Sequence, residues 1–243
     1  MDVISMMAKA ELFKAGVPLT LMDEWYREIY VEPDVRTAEK EMDAFLAKIS
    51  LRELMPVLAP YLIANAQEEA IWRTVDWTRK LFGVKMAPTI QMSIAASPME
   101  SHFVYEEGKD GEWQLLVNPR LLRDIPVDLL IGVVAHEVWH GYQQQRSLKW
   151  QGHSAVEVAK LSSEEKRDLM YALNNMYIIR PEQDREGYAS QLVEAEAYLV
   201  TNKIRETLAQ ILTKAYHHGK VPTQMLIALN LTIGKMPICG RFC

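Results

Sequence analysis

Cysteine is nearly missing from this chain of 243 residues: two occur, Cys239 and Cys243, both within the last five positions. Usage this low matches a reducing compartment, and a cytoplasmic location is the expectation. The pair reads as free thiols on a frayed tail. No further Cys or His lies close enough in sequence to complete a metal site with them. Long apolar runs are missing as well. No stretch approaches the ~18 residues that a membrane-spanning helix needs. Met1 to Lys9 lacks both a basic leader and a clean apolar segment, so the start does not read as a signal peptide. Clustered Lys and Arg are absent and the net charge is −5, which removes the case for a nucleic-acid partner. There are no repeats and no low-complexity linker. What remains, at 49% hydrophobic and 24% charged, is an ordinary globular composition. The length suffices for one large domain or a domain with an appendage. The expected division is a helical N-terminal region over 1–83 and a second domain over 84–243, with one continuous domain as the alternative.

Against this plain background stands His136-Glu137-Val138-Trp139-His140, an H-E-x-x-H motif. On an α-helix, positions i and i+4 are about 40° apart, so both imidazoles leave one face a turn apart. Two nitrogens so placed can grip one divalent ion, and zinc suits imidazole. Glu137 lies on the flank of that face. There it reaches a water held at the metal rather than the metal itself, which is the position of a general base in metal-assisted hydrolysis.

The neighbourhood supports a helix at this point. Asp124 is a candidate N-cap, Pro126 falls in the first turn and Asp128 adds negative charge near the positive end. Leu129 to Ala135 is apolar nearly all round, which predicts burial. Two His and a Glu buried there without partners would cost several kcal/mol, and a bound metal removes that cost. Gly132, one turn before His136, leaves room for another backbone to pass close by. Val138 and Trp139 are expected in the core. Upstream, Ser101–Tyr105 and Trp113–Val117 are β-rich runs joined through Asp110-Gly111, the signature of a hairpin. Thr89–Ile94 alternates and reads as a third strand.

A catalytic zinc takes three protein ligands and keeps one position open. Residues 188–198 are strongly helical and hold two candidates, Glu194 and Glu196. In a continuous helix Gln191, Glu194 and Tyr198 share one face and Glu196 points elsewhere, so Glu194 is favoured and Glu196 stays open. Tyr188, Tyr198 and His153 are candidates for a further donor to a developing oxyanion. No spacing selects among them, and each has a structural or surface role as the commoner alternative.

With these residues in view, the chain resembles the zincin metallopeptidases of the Glu-ligand, gluzincin-like group. The resemblance rests on His136–His140, on the strand-then-helix order before it, and on Gln191-Leu192-Val193-Glu194-Ala195-Glu196-Ala197. That last segment looks like the E-x-x-A segment of several bacterial and phage-type zincins. It covers roughly residues 87–200 and implies zinc held by His136, His140 and Glu194, with Glu137 as the general base. Where such families place Asp or Asn after the Ala, this chain has Tyr198. The 54-residue spacing from His140 to Glu194 calls for an inserted helix. The resemblance also implies that Trp113–Val117 is an edge strand beside the cleft, where an extended peptide substrate can pair.

The remainder reads as helical: 3–15, 18–30, then 37–82 with a break near Pro56 or Pro60 and an end at Gly83. Ser162 to Glu165 has capping-box spacing and opens a further helix to about Tyr177. The helix of Glu194 is expected to run to Tyr216, followed by a short helix from Thr223 to Leu231. His217-His218 falls near a helix end, where it suits the dipole. The expected fold is α+β and zincin-like, with a small, mostly antiparallel sheet beside the H-E-x-x-H helix and a helical majority. Two function classes follow. One is a zinc peptidase acting on a peptide or protein, with no nucleic-acid or membrane partner. The other is a non-catalytic module that a metal stabilises. Glu137 favours the enzyme, because a purely structural site needs no base beside its ligands.

Overall fold

A computed structural model describes residue 9 and residues 19–63, 66–85, 87–92, 102–105, 113–117, 125–150, 161–176 and 184–229. The described elements are α1 (Leu19–Tyr30), α2 (Arg36–Leu46), α3 (Leu51–Leu58), α4 (Gln67–Phe82), β1 (Pro88–Met92), β2 (His102–Tyr105), β3 (Trp113–Val117), α5 (Val127–Ser147), α6 (Ser163–Met176), α7 (Arg185–Ser190), α8 (Leu192–His217) and α9 (Thr223–Ala228). Helix dominates and the sheet is small, as expected. Among the described residues no helix is long and apolar enough to cross a membrane. The expected helix over 3–15, the candidate cap Asp124, His153 and both cysteines lie outside the described residues.

The helix boundaries follow local chemistry. Ser50 and Glu53 form a reciprocal capping box at the start of α3. That helix accommodates Pro56 and stops at Leu58, where a 3-10 turn, Ala59–Leu62, begins with Pro60 at its second position. Of the two prolines it is therefore Pro60 that marks a break, and the stretch breaks also between Leu46 and Leu51, an interruption not expected from the sequence. Gly83 closes α4 with φ +70°, a left-handed conformation that glycine adopts without strain. Ser162 and Glu165 cap α6 reciprocally, the serine N–H donating to the carboxylate at 2.8 Å.

The chain groups into two compact units. One takes residues 1–39, 142–196 and 241–243, and the other residues 40–141 and 197–240. Each unit draws on sequence from both sides of residue 83. The cuts near 141 and 196 fall inside α5 and α8, which are unbroken helices. The first unit is cored by Met22, Trp25, Ile29 and Tyr30 of α1 with Leu169, Met170, Tyr171 and Leu173 of α6 and Leu192 and Val193 of α8. The spacing of the α1 residues is that of one helical face. In the second unit Trp139 is fully buried and meets Phe82 and Phe45 edge-on, with ring centroids 5.2 and 6.4 Å away. Val138 and Trp139 thus fill the core, as expected from their place in the motif.

The sheet corrects two expectations. Its order is β1-β3-β2. β2 and β3 pair antiparallel, with Phe103 opposite Leu115, as the hairpin signal requires. β1 and β3 pair parallel, with Ile90 opposite Leu115. The sheet is therefore mixed and not mostly antiparallel. A turn sequence fixes only the pairing of the strands it joins, and the partner of β1 is set by tertiary packing. β3 carries the buried Leu115 and Val117 and takes the centre, where a strand gains partners on both sides. It is consequently no edge strand. Both of its ladders are occupied, so no peptide can pair with it there.

Candidate metal centre

The H-E-x-x-H motif lies well inside α5, a 21-residue helix. Leu130, Ile131, Val134, Ala135, Val138 and Trp139 are buried, while His136, Glu137 and His140 are intermediate in exposure. The helix thus presents its polar motif on the one face that its apolar residues leave. The rings of His136 and His140 stand edge-on with centroids 4.8 Å apart.

Gly132 brings α8 close to the turn before the motif. A Cβ built there would lie 3.1 Å from the Thr201 carbonyl oxygen and 3.1 Å from Thr201 Cγ2. Close approach of another backbone is what this glycine's position led us to expect. The Thr201 hydroxyl donates to the Gly132 carbonyl at 3.3 Å, and Arg205 donates to Asp128 at 3.0 Å. These contacts set α8 against the first half of α5.

The start of α8 is equally constrained. The sequence 188–198 is not one helix: α7 ends at Ser190, Gln191 is extended at φ −69° and ψ 150°, and α8 begins at Leu192. Gln191 therefore does not share a helical face with Glu194, as continuous periodicity would have had it. Its side chain instead accepts a 2.9 Å hydrogen bond from Asn174. Glu194 and Tyr198, one turn apart in α8, do share a face. The inserted helix that the long spacing demanded is α6.

The structure brings His136, His140 and Glu194 together. One ligand atom from each lies within 4.8 Å of the other two. Glu194 is 2% exposed. A tetrahedral zinc with donors at ~2.1 Å holds them ~3.4 Å apart, so closing the group requires a side-chain movement of about 1.4 Å at most. Two imidazoles and one carboxylate form a donor set that suits zinc and leaves a fourth position open. The residues present fit the ion. Tyr198 stands beside them, its ring 4.9 Å from that of His136 and edge-on, with 40% of the residue exposed. Tyr188 packs against the α1–α6 core. His217 and His218 are exposed at the end of α8.

Glu196 has a different role. It is fully buried. Tyr171 donates to it at 2.7 Å and Gln143 at 3.0 Å, both to Oε2, while Arg167 Nε and Nη2 both lie 3.1 Å from Oε1. A charge so deeply placed needs such pairing. Burial and the adjacent Glu196 carboxylate push the Tyr171 phenol well above its ordinary pKa. Nearby, Arg146 pairs with the buried Asp168 and donates to Tyr142. Sequence reasoning missed this network. The one available signal was the set of Gln143, Arg146, Arg167 and Asp168 at positions facing the apolar side of their helices.

No family model matches the chain, and neither a curated protein nor a solved structure matches it.

Proposed function

We propose that this chain is a zinc-dependent peptidase of the zincin type, with His136, His140 and Glu194 as metal ligands and Glu137 as general base. One observation carries the reading: residues 54 positions apart converge so that His136, His140 and Glu194 each place a ligand atom within 4.8 Å of the others. Zinc bound there supplies a Lewis acid that acidifies water and polarises a carbonyl. Glu137, next to the first ligand and only partly buried, takes a proton from the attacking water. It then delivers that proton to the departing amine nitrogen. Val138 and Trp139, locked in the core, hold the backbone of α5 and so keep Glu137 on the flank of the ligand face. The substrate class is a peptide or protein, and a cytoplasmic site of action accords with the scarcity of cysteine.

The test is peptide hydrolysis by the zinc-loaded protein beside its Glu137→Gln variant, with zinc content measured on both. The expected outcome is unchanged zinc and a rate lower by about 10²–10⁴, the usual worth of a positioned general base. Equal rates in the two would remove Glu137 from the chemistry. Full zinc occupancy with no hydrolysis by either would favour the metal-stabilised binding module.

A further inference from the structure

Val193, the residue before Glu194, is held at both of its backbone polar atoms by buried side chains from other helices. Its N–H donates to Asn174 Oδ1 of α6 at 3.1 Å. Its carbonyl accepts from Gln143 Nε2 of α5 at 3.0 Å. Asn174 is 0% exposed and Gln143 is 1% exposed. Asn174 uses its remaining group to donate to Gln191 Oε1 at 2.9 Å, and Gln143 also donates to Glu196 Oε2 at 3.0 Å.

These contacts concentrate on the first turn of a helix. A helix start leaves backbone N–H groups without intrahelical partners, and first turns fray unless something caps them. At α8 the residue before the helix is Gln191, which offers no Ser, Thr, Asp or Asn side chain at the cap. Asn174 provides the capping oxygen from another helix. Gln143 lies three residues after His140 on α5, so it ties the His-bearing helix directly to the peptide unit beside Glu194.

We infer that Gln143 and Asn174 are positioning residues for the proposed metal centre, clamping the Val193 peptide so that Glu194 is presented at a fixed place opposite His136 and His140. The inference rests on the metal reading given above. Support of this kind around a ligand is worth about 10–100-fold in metal affinity. It acts by pre-ordering a ligand that a frayed first turn would otherwise have to order on binding.

The experiment is a competition titration of zinc against a chromophoric chelator. It uses the full chain in its wild-type form and as Gln143→Met and Asn174→Leu, which keep the side-chain size and lose the hydrogen bonds. Melting temperature and the visible spectrum of the cobalt(II)-loaded forms are recorded alongside. The clamp predicts zinc affinity weaker by about 10–100-fold in each variant. It also predicts a cobalt spectrum altered toward loss of the carboxylate ligand. Asn174→Asp keeps an oxygen for the Val193 N–H and should recover most of the affinity. A role confined to fold stability would lower the melting temperature and leave the affinity and spectrum of the folded variants as in wild type, and that result overturns the clamp while the metal centre stands. No metal uptake by wild type overturns the metal reading, and the clamp with it. Should Gln143→Met or Asn174→Leu fail to fold, Gln143→Asn carries the comparison: the shortened amide no longer reaches Val193 and should weaken zinc while Asn174→Asp keeps most of the affinity, and wild-type affinity in Gln143→Asn overturns the clamp.

Discussion

Glu194 and Glu196 stand two residues apart on α8, and their surroundings could hardly differ more. Residues i and i+2 on a helix are about 200° apart, so the two carboxylates face opposite sides. Glu194 faces the two imidazoles of α5. Glu196 faces Tyr171, Gln143 and Arg167, which donate to it at 2.7–3.1 Å. Both are buried. Burial by itself therefore says nothing about which one serves a metal. The supply of fixed donors separates them: the Glu196 carboxylate is committed to a guanidinium, a phenol and an amide, and turning it toward an ion would break those bonds.

The largest contrast comes from truncating each in turn. Glu196→Ala leaves Arg167 as a buried charge without its carboxylate and strips two neutral donors of their acceptor. Breaking a buried pair on one side costs about 3–5 kcal/mol, so denaturant unfolding should show a loss of that order. The fraction that remains folded should still take up metal. Glu194→Ala should do the reverse: it loses most of the bound zinc and loses less stability in the metal-free state than Glu196→Ala does. The contrast breaks if Glu196→Ala is the variant that loses the metal while keeping its stability.

Tyr171 sharpens the same comparison through pH. Its 2.7 Å hydrogen bond goes to a charged acceptor, and Tyr171→Phe should cost about 1.5–3 kcal/mol at neutral pH. The phenol is held well above its ordinary value by burial and by Glu196. The folded state thus keeps this proton where the unfolded chain gives it up. A group raised in the folded state stabilises fully below its unfolded value and loses that contribution as pH rises. Wild-type stability should therefore fall as pH climbs above about 10. The Phe variant, with no proton to lose there, should show a shallower fall. Equal slopes in urea titrations at pH 9 to 11 would show that Tyr171 is not the group responsible.

The sequence made one side of this contrast legible and hid the other. The H-E-x-x-H spacing, the apolar run before it and the room at Gly132 are all local patterns with a fixed helical geometry, and they located α5, its buried face and its two imidazoles. Glu194 was readable because its helical phase differs from that of Glu196. The reason given for that phase was incomplete, since the helix breaks at Gln191 and a side chain of α6 restarts it. Asn174 lies 17 residues from Gln191, and no local pattern announces a cap delivered from that distance. The strand order failed for a similar cause. The Asp110-Gly111 sequence signal points to the β2–β3 pairing, whereas the parallel partner of β1 depends on which edge packing leaves open. Interactions of short range were read from residue types, and those set by tertiary packing were not.

Gly132 offers the smallest of these tests and the one most specific to how α5 and α8 meet. Along α5, the steric contact at Gly132 precedes His136 and His140 and the polar contact at Gln143 follows them. If both contacts set the approach of α8, harm at the first should resemble harm at the second in its effect on the metal. A Cβ at residue 132 would come within 3.1 Å of the Thr201 carbonyl oxygen, a backbone atom that no rotamer change can move. Alanine also carries a helix-propensity gain of about 1 kcal/mol over glycine, which blurs its outcome. Valine adds two further methyl groups at the same contact and gains less from propensity. Gly132→Val should therefore destabilise by about 1–3 kcal/mol, the usual cost of overpacking, and should also weaken zinc binding by pushing α8 away from His136. Loss of stability with unchanged zinc affinity would mean that the Gly132 contact and the ligand geometry are independent, leaving the first turn of α8 as the sole determinant of where Glu194 sits.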